Sequence, residues 1–101
     1  MIQINVEKNK DSISRIVIKG HSGYAESGSD IVCASVSSIA TTTINAILRI
    51  DPDALSYKEE EGFLEIIRNR QDEIISLLLT NMLELLEELQ KQYSKYIKII
   101  K

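Results

Sequence analysis

The chain has 101 residues, of which 44% are apolar, 27% are charged and none is Trp. That supplies enough Ile, Leu and Val for one small domain over residues 1–101, with burial through a dimer interface as an addition, and it argues against a disordered chain. The net charge of −3 with no basic stripe argues against a direct nucleic-acid surface, and the single Cys excludes an intramolecular disulfide framework and fits a reducing cytosol.

Ile2, Ile4 and Val6 alternate with Gln3, Asn5 and Glu7, which predicts a strand with one buried face. Asn9–Ser12 is turn chemistry, and Ile13–Lys19 reads as a second strand, so a hairpin opens the chain. Met1–Lys8 carries no apolar run of the signal-peptide kind, and no segment is expected to be long enough to span a membrane. Gly20 ends the hairpin and a Gly/Ser-rich loop follows.

From about Asp30 to Ile50, apolar residues recur at Val32, Val36, Ile39 and Ile47, with Thr43 on the same face. This is a helical face, with Ser29 or Asp30 as N-cap. Few charges interrupt it, so burial on most sides is expected, and Asp51-Pro52-Asp53 breaks it. Leu55–Lys58 and Gly62–Arg68 read as a second hairpin, with Glu59–Glu61 as a solvated turn. Gln71 to about Tyr93 is a second helix. Its seam runs through Ile75, Leu79, Met82, Leu86 and Leu89, and Ile74, Leu78 and Leu85 widen it. Tyr96–Ile100 has strand composition. The order ββαββαβ predicts an α/β (α+β) domain with one mixed sheet packed by two helices.

The only His and the only Cys, His21 and Cys33, flank the Gly/Ser loop. A thiol attacks as its thiolate, and a helix N-terminus or a nearby imidazolium stabilises that anion. Cys33 falls in the first helical turn, so the first-turn N–H groups are candidates for holding an oxyanion. Asp30, Cys33 and Ser37 share one helix face. Asp30 is placed to cap the helix or orient His21, and Ser37 to hydrogen-bond the thiol or a substrate. Gly20, Gly23 and Gly28 give the loop freedom to close over a peptide.

From the residues alone the plainer readings stand beside these. A lone helical Cys is commonly a small buried hydrophobe. Glycines can serve only turns, and Ser37 can be one more small residue in a Ser/Thr-rich helix. A phosphate loop is excluded for lack of Gly-Lys-Ser/Thr. One His and one Cys make a weak zinc site, and no cofactor or metal is expected.

Gly20-His21, a short polar loop, then Ser29-Asp30-Ile31-Val32-Cys33-Ala34 with Ser37 one turn later resembles the ribosomal-processing cysteine protease family, Prp, over nearly the whole chain. The resemblance implies a His/Cys dyad with Cys33 as nucleophile and His21 as general base. It also implies supporting places for Asp30 and Ser37, a cytoplasmic homodimer, and removal of a short N-terminal extension from a large-subunit ribosomal protein precursor. Ser22, counted with Gly20, Gly23 and Gly28 among the loop residues that meet substrate, departs from the family pattern, in which Ala more often follows the His; Ser is small enough that no loss of activity is expected, and its hydroxyl can hydrogen-bond within the loop. A non-catalytic peptide-binding module acting in ribosome assembly, or a small thiol acyltransferase or thioesterase, remains the alternative.

Overall fold

Alternating apolar residues draw β1 (Ile2–Asn9) and β2 (Ser12–Lys19) into an antiparallel hairpin in the computed structural model, which describes residues 1–26 and 28–101. Lys10 and Asp11 turn the chain with φ of 53° and 67°. Both central residues of such a two-residue turn must be left-handed, which matches the twist of the strands. The second hairpin is β3 (Leu55–Glu60) and β4 (Phe63–Arg68). It joins the first through β2–β4 pairing, with Ile16 opposite Ile66 and Lys19 opposite Phe63. β5 (Ile97–Ile100) pairs in parallel with β1. The sheet order is β3-β4-β2-β1-β5, so the five-stranded sheet is mixed, as expected.

Helices α1 (Ile31–Ile50) and α2 (Glu73–Gln92) share one core with a single face of that sheet. Ile4, Ile16, Ile66 and Ile97 rise from the strands to meet Ile47 of α1 and Leu79, Met82 and Leu86 of α2. The opposite face mixes polar and apolar residues: beside the buried Val17, Arg15 of β2 is bonded to Glu7 of β1 and Glu65 of β4. Both helices start on an aspartate whose side chain accepts two backbone N–H groups: Asp30 for α1, and Asp72, which sequence reasoning passed over, for α2. Such a cap contributes about 1 kcal/mol.

Three expectations need correction. α1 is buried along one stripe (Val32, Val36, Ala40, Ile44, Ile47) and not on most sides; Ser38, Thr41, Thr42 and Asn45 are exposed. Small polar side chains there reflect low charge, not burial. Secondly, Ile74 and Leu85 do not widen the α2 seam. They are 54% and 45% exposed, because Leu83 rather than Leu85 completes the stripe facing the core. Thirdly, α1 is long and apolar enough, by length and composition alone, to cross a membrane. In this fold its apolar stripe is covered by the sheet and α2.

Ile47 is fully buried at the centre of this packing. Ile47→Ala should cost about 2–5 kcal/mol, read as a lower urea midpoint. A loss below about 1 kcal/mol would show that α1 is not seated as described.

Candidate active site

Gly20 closes β2 with φ 94° and passes so close to the N-terminus that a Cβ there would lie 2.6 Å from the Met1 carbonyl oxygen. Its N–H donates to the Gly62 carbonyl at 2.8 Å, which ties the end of β2 to the β3–β4 turn. His21 follows at once, exposed, with its ring against that turn. Gly62 has φ 70°, and a Cβ built on it would stand 2.9 Å from His21 Nε2. Only a glycine suits both the left-handed backbone and the ring above it.

The chain then turns inward. Ser22 is 3% exposed. Its hydroxyl donates to Asp30 Oδ2 and accepts from the Tyr24 N–H at 3.0 Å, and its own N–H donates to Cys33 Sγ at 3.3 Å. Tyr24 packs edge-on against Tyr93 and Tyr96, at centroid distances of 5.7 and 5.2 Å. Ser27 lies outside the described residues. After a turn closed by Ser29 N–H to the Glu26 carbonyl at 2.9 Å, Asp30 opens α1. Its Oδ1 accepts from Val32 N–H at 3.0 Å and Cys33 N–H at 2.9 Å.

Of the two cap candidates it is therefore Asp30 that caps α1. The bond from the Ser22 hydroxyl first, and the Cys33 N–H second, hold its carboxyl down at about 2 against an opposing cost of desolvation. Asp30 makes no hydrogen bond to His21 among the described residues. Three of the amides expected to be candidates for holding an oxyanion are engaged. The N–H groups of Val32 and Cys33 are taken by the Asp30 side chain, and that of Ala34 by the Asp30 carbonyl at 3.0 Å.

Cys33 is a half-buried free thiol at the junction of two open cavities. The larger, about 590 Å³, lies under the Gly/Ser loop and is lined there by Gly23, Gly28 and Asp30. The smaller, about 290 Å³, lies under the β3–β4 turn and is lined by Gly20, Gly62 and Leu64. His21, Cys33, Ser37 and Glu61 border both. No hydrogen bond joins His21 to Cys33 among the described residues, a looseness common in ligand-free sites. Sequence reasoning missed Gly62, Glu61 as a wall, and the tyrosine cluster. Each meets the site from a distant part of the chain, with no local pattern to mark it.

A family description, cysteine protease Prp, matches residues 1–98. The chain belongs to the cysteine protease Prp family. It is similar to the ribosomal processing cysteine protease Prp of Staphylococcus aureus strain Mu50, 29% identical over 105 residues covering 98% of this chain and 97% of the relative. It is also similar to Prp of Bacillus subtilis, 26% identical over 108 residues covering 98% and 96%. The crystal structure of the S. aureus Prp with a covalently linked product peptide has the same fold, with TM-score 0.93 at 24% identity over 99% of this chain and 98% of that one. In this chain Cys33 at the start of α1 and His21 just past the end of β2 lie on either side of one loop.

Two outcomes follow. The Asp30 carboxyl is lowered on folding, so its stabilisation is complete above its ordinary value of 3.8 and is lost as pH falls towards about 2. The difference in urea midpoint between wild type and Asp30→Asn should hold steady at neutral pH and shrink below about pH 4. A difference unchanged at pH 2 would contradict the geometry. Gly62→Ala should cost about 1–2 kcal/mol for the left-handed backbone and shift the His21 ring resonances. Unmoved His21 signals would show that the ring does not rest on the turn.

Proposed function

We propose that this chain is a cysteine endopeptidase that removes a short N-terminal extension from a large-subunit ribosomal protein precursor. The observation that carries this is the place of Cys33: a free thiol where two open cavities meet, beside the only imidazole. A peptide crossing that junction leaves residues on either side of its scissile bond in separate cavities. The S. aureus relative carries ribosomal processing in its name and has been solved with a substrate peptide, which supports a peptide as the occupant here.

In this reading His21 swings from the Gly62 turn and takes the Cys33 proton. The thiolate attacks the scissile carbonyl and a tetrahedral oxyanion forms. Its collapse to a thioester expels the new amine, which His21 protonates, and water then hydrolyses the thioester and frees the thiol. Asp30 holds the helix start and Ser22, while Ser37, exposed to both cavities one turn below the thiol, hydrogen-bonds the substrate. Gly20, Gly23 and Gly28 bring backbone close to the peptide.

The whole of residues 1–101 serves as one catalytic domain in the cytoplasm, with no nucleic acid or membrane as direct partner. A homodimer is supported by Ile74, Leu77 and Leu85, which leave an apolar face of α2 exposed.

Cys33→Ala should abolish cleavage of a ribosomal protein precursor while leaving the Tm close to that of wild type. His21→Ala should lower kcat about 10²–10⁴-fold. Full cleavage by a folded Cys33→Ala protein sinks the reading, and binding of the precursor by wild type without cleavage leaves a peptide clamp. Hydrolysis of thioesters with the precursor untouched points to a thioesterase.

A further inference from the structure

A helix start stabilises an anion through unpaired N–H groups, but at this one the N–H groups of Val32, Cys33 and Ala34 are bonded to Asp30. One backbone N–H does point at the sulfur: that of Ser22, 3.3 Å from Cys33 Sγ.

Ser22 is held in that pose by its own side chain. The hydroxyl donates to Asp30 Oδ2 and accepts from the Tyr24 N–H, in a pocket that leaves the residue 3% exposed. The same bond occupies the Asp30 oxygen that the helix cap does not use. We propose that Ser22 is a positioning residue for the nucleophile: its buried hydroxyl, clasped to Asp30, aims its own N–H at Cys33 Sγ and makes that N–H the donor that holds the thiolate. Ser22 then acts from beneath the site rather than on the substrate, and it borders neither cavity at the thiol. The proposal rests on Cys33 being the peptidase nucleophile.

The ionisable groups around the thiol are His21, Asp30 and Glu59 to Glu61, and Ser22→Ala leaves all of them in place. The test compares full-length wild type, Ser22→Ala and Ser22→Thr for iodoacetamide alkylation of Cys33 at pH 6.5 and pH 10, with kcat and KM on a precursor peptide. Ser22→Ala should alkylate about tenfold more slowly at pH 6.5, as expected for a lost bond to a charged group. At pH 10, where an ordinary thiol is ionised, it should match wild type. Its kcat should fall by a similar factor with KM unchanged, and Ser22→Thr should recover most of both rates.

A wild-type rate at pH 6.5 overturns the proposal. So does an equal loss at both pH values, which marks altered access rather than altered ionisation. Wild type gives a further reading that no misfolded variant can spoil: the Ser22 amide proton should move in NMR as the thiol titrates, and a flat signal overturns the proposal. Alkylation needs no substrate. A wild type that cleaves no precursor yet shows this pattern sinks the peptidase reading and keeps the role of Ser22; cleavage with unaltered alkylation in Ser22→Ala does the reverse.

Discussion

The Asp30 carboxylate joins the two halves of the site. One oxygen closes the start of α1 on the N–H groups of Val32 and Cys33, and the other holds the hydroxyl of Ser22 in the loop that follows β2. A charged acceptor shared among three donors makes stronger bonds than a neutral one, and here the donors come from two different elements. Helix start, loop entry and thiol are therefore set relative to one another by one side chain. Without it, Cys33 would still begin a helix and His21 would still end a strand, but nothing local would fix their approach.

The sheet supplies the other constraint. Gly20 N–H to the Gly62 carbonyl continues the β2–β4 ladder one step beyond its last paired residues, so the second hairpin ends directly under the imidazole. The first hairpin presents His21, the second backs it, and α1 crosses the same face of the sheet to bring Cys33 alongside. Burial of Ile47, Leu79, Met82 and Leu86 against the strands fixes the helices to that face. The cost of ordering the site is thus offset largely by core packing some distance from it.

Local periodicity made most of the fold legible. The alternation in β1 and β2 and the helical recurrence in α1 and α2 set the element order, and the mixed sheet followed. What misled was inference from composition. Ser and Thr on α1 signalled few charges and were read as burial, while Leu85 counted as apolar seam although its direction is outward. In the site, the loop length brought His21 and Cys33 within reach of one cavity. The inward turn of Ser22 and the ring of His21 over Gly62 were not legible. They depend on pairings between residues 8 to 41 apart in the chain, which carry no period.

Tyr24 lies between Tyr93 and Tyr96, next to the strand in which Ile97 pairs with Ile2. The loop that separates His21 from Cys33 is thus anchored by residues from the far end of α2 and the turn that follows it. During synthesis, β1, β2 and α1 leave the ribosome long before that anchor exists. Until Tyr93 and Tyr96 emerge, Tyr24 has nothing to pack against and β1 lacks its parallel neighbour. A nascent chain therefore carries His21 and Cys33 before the loop between them has its anchor.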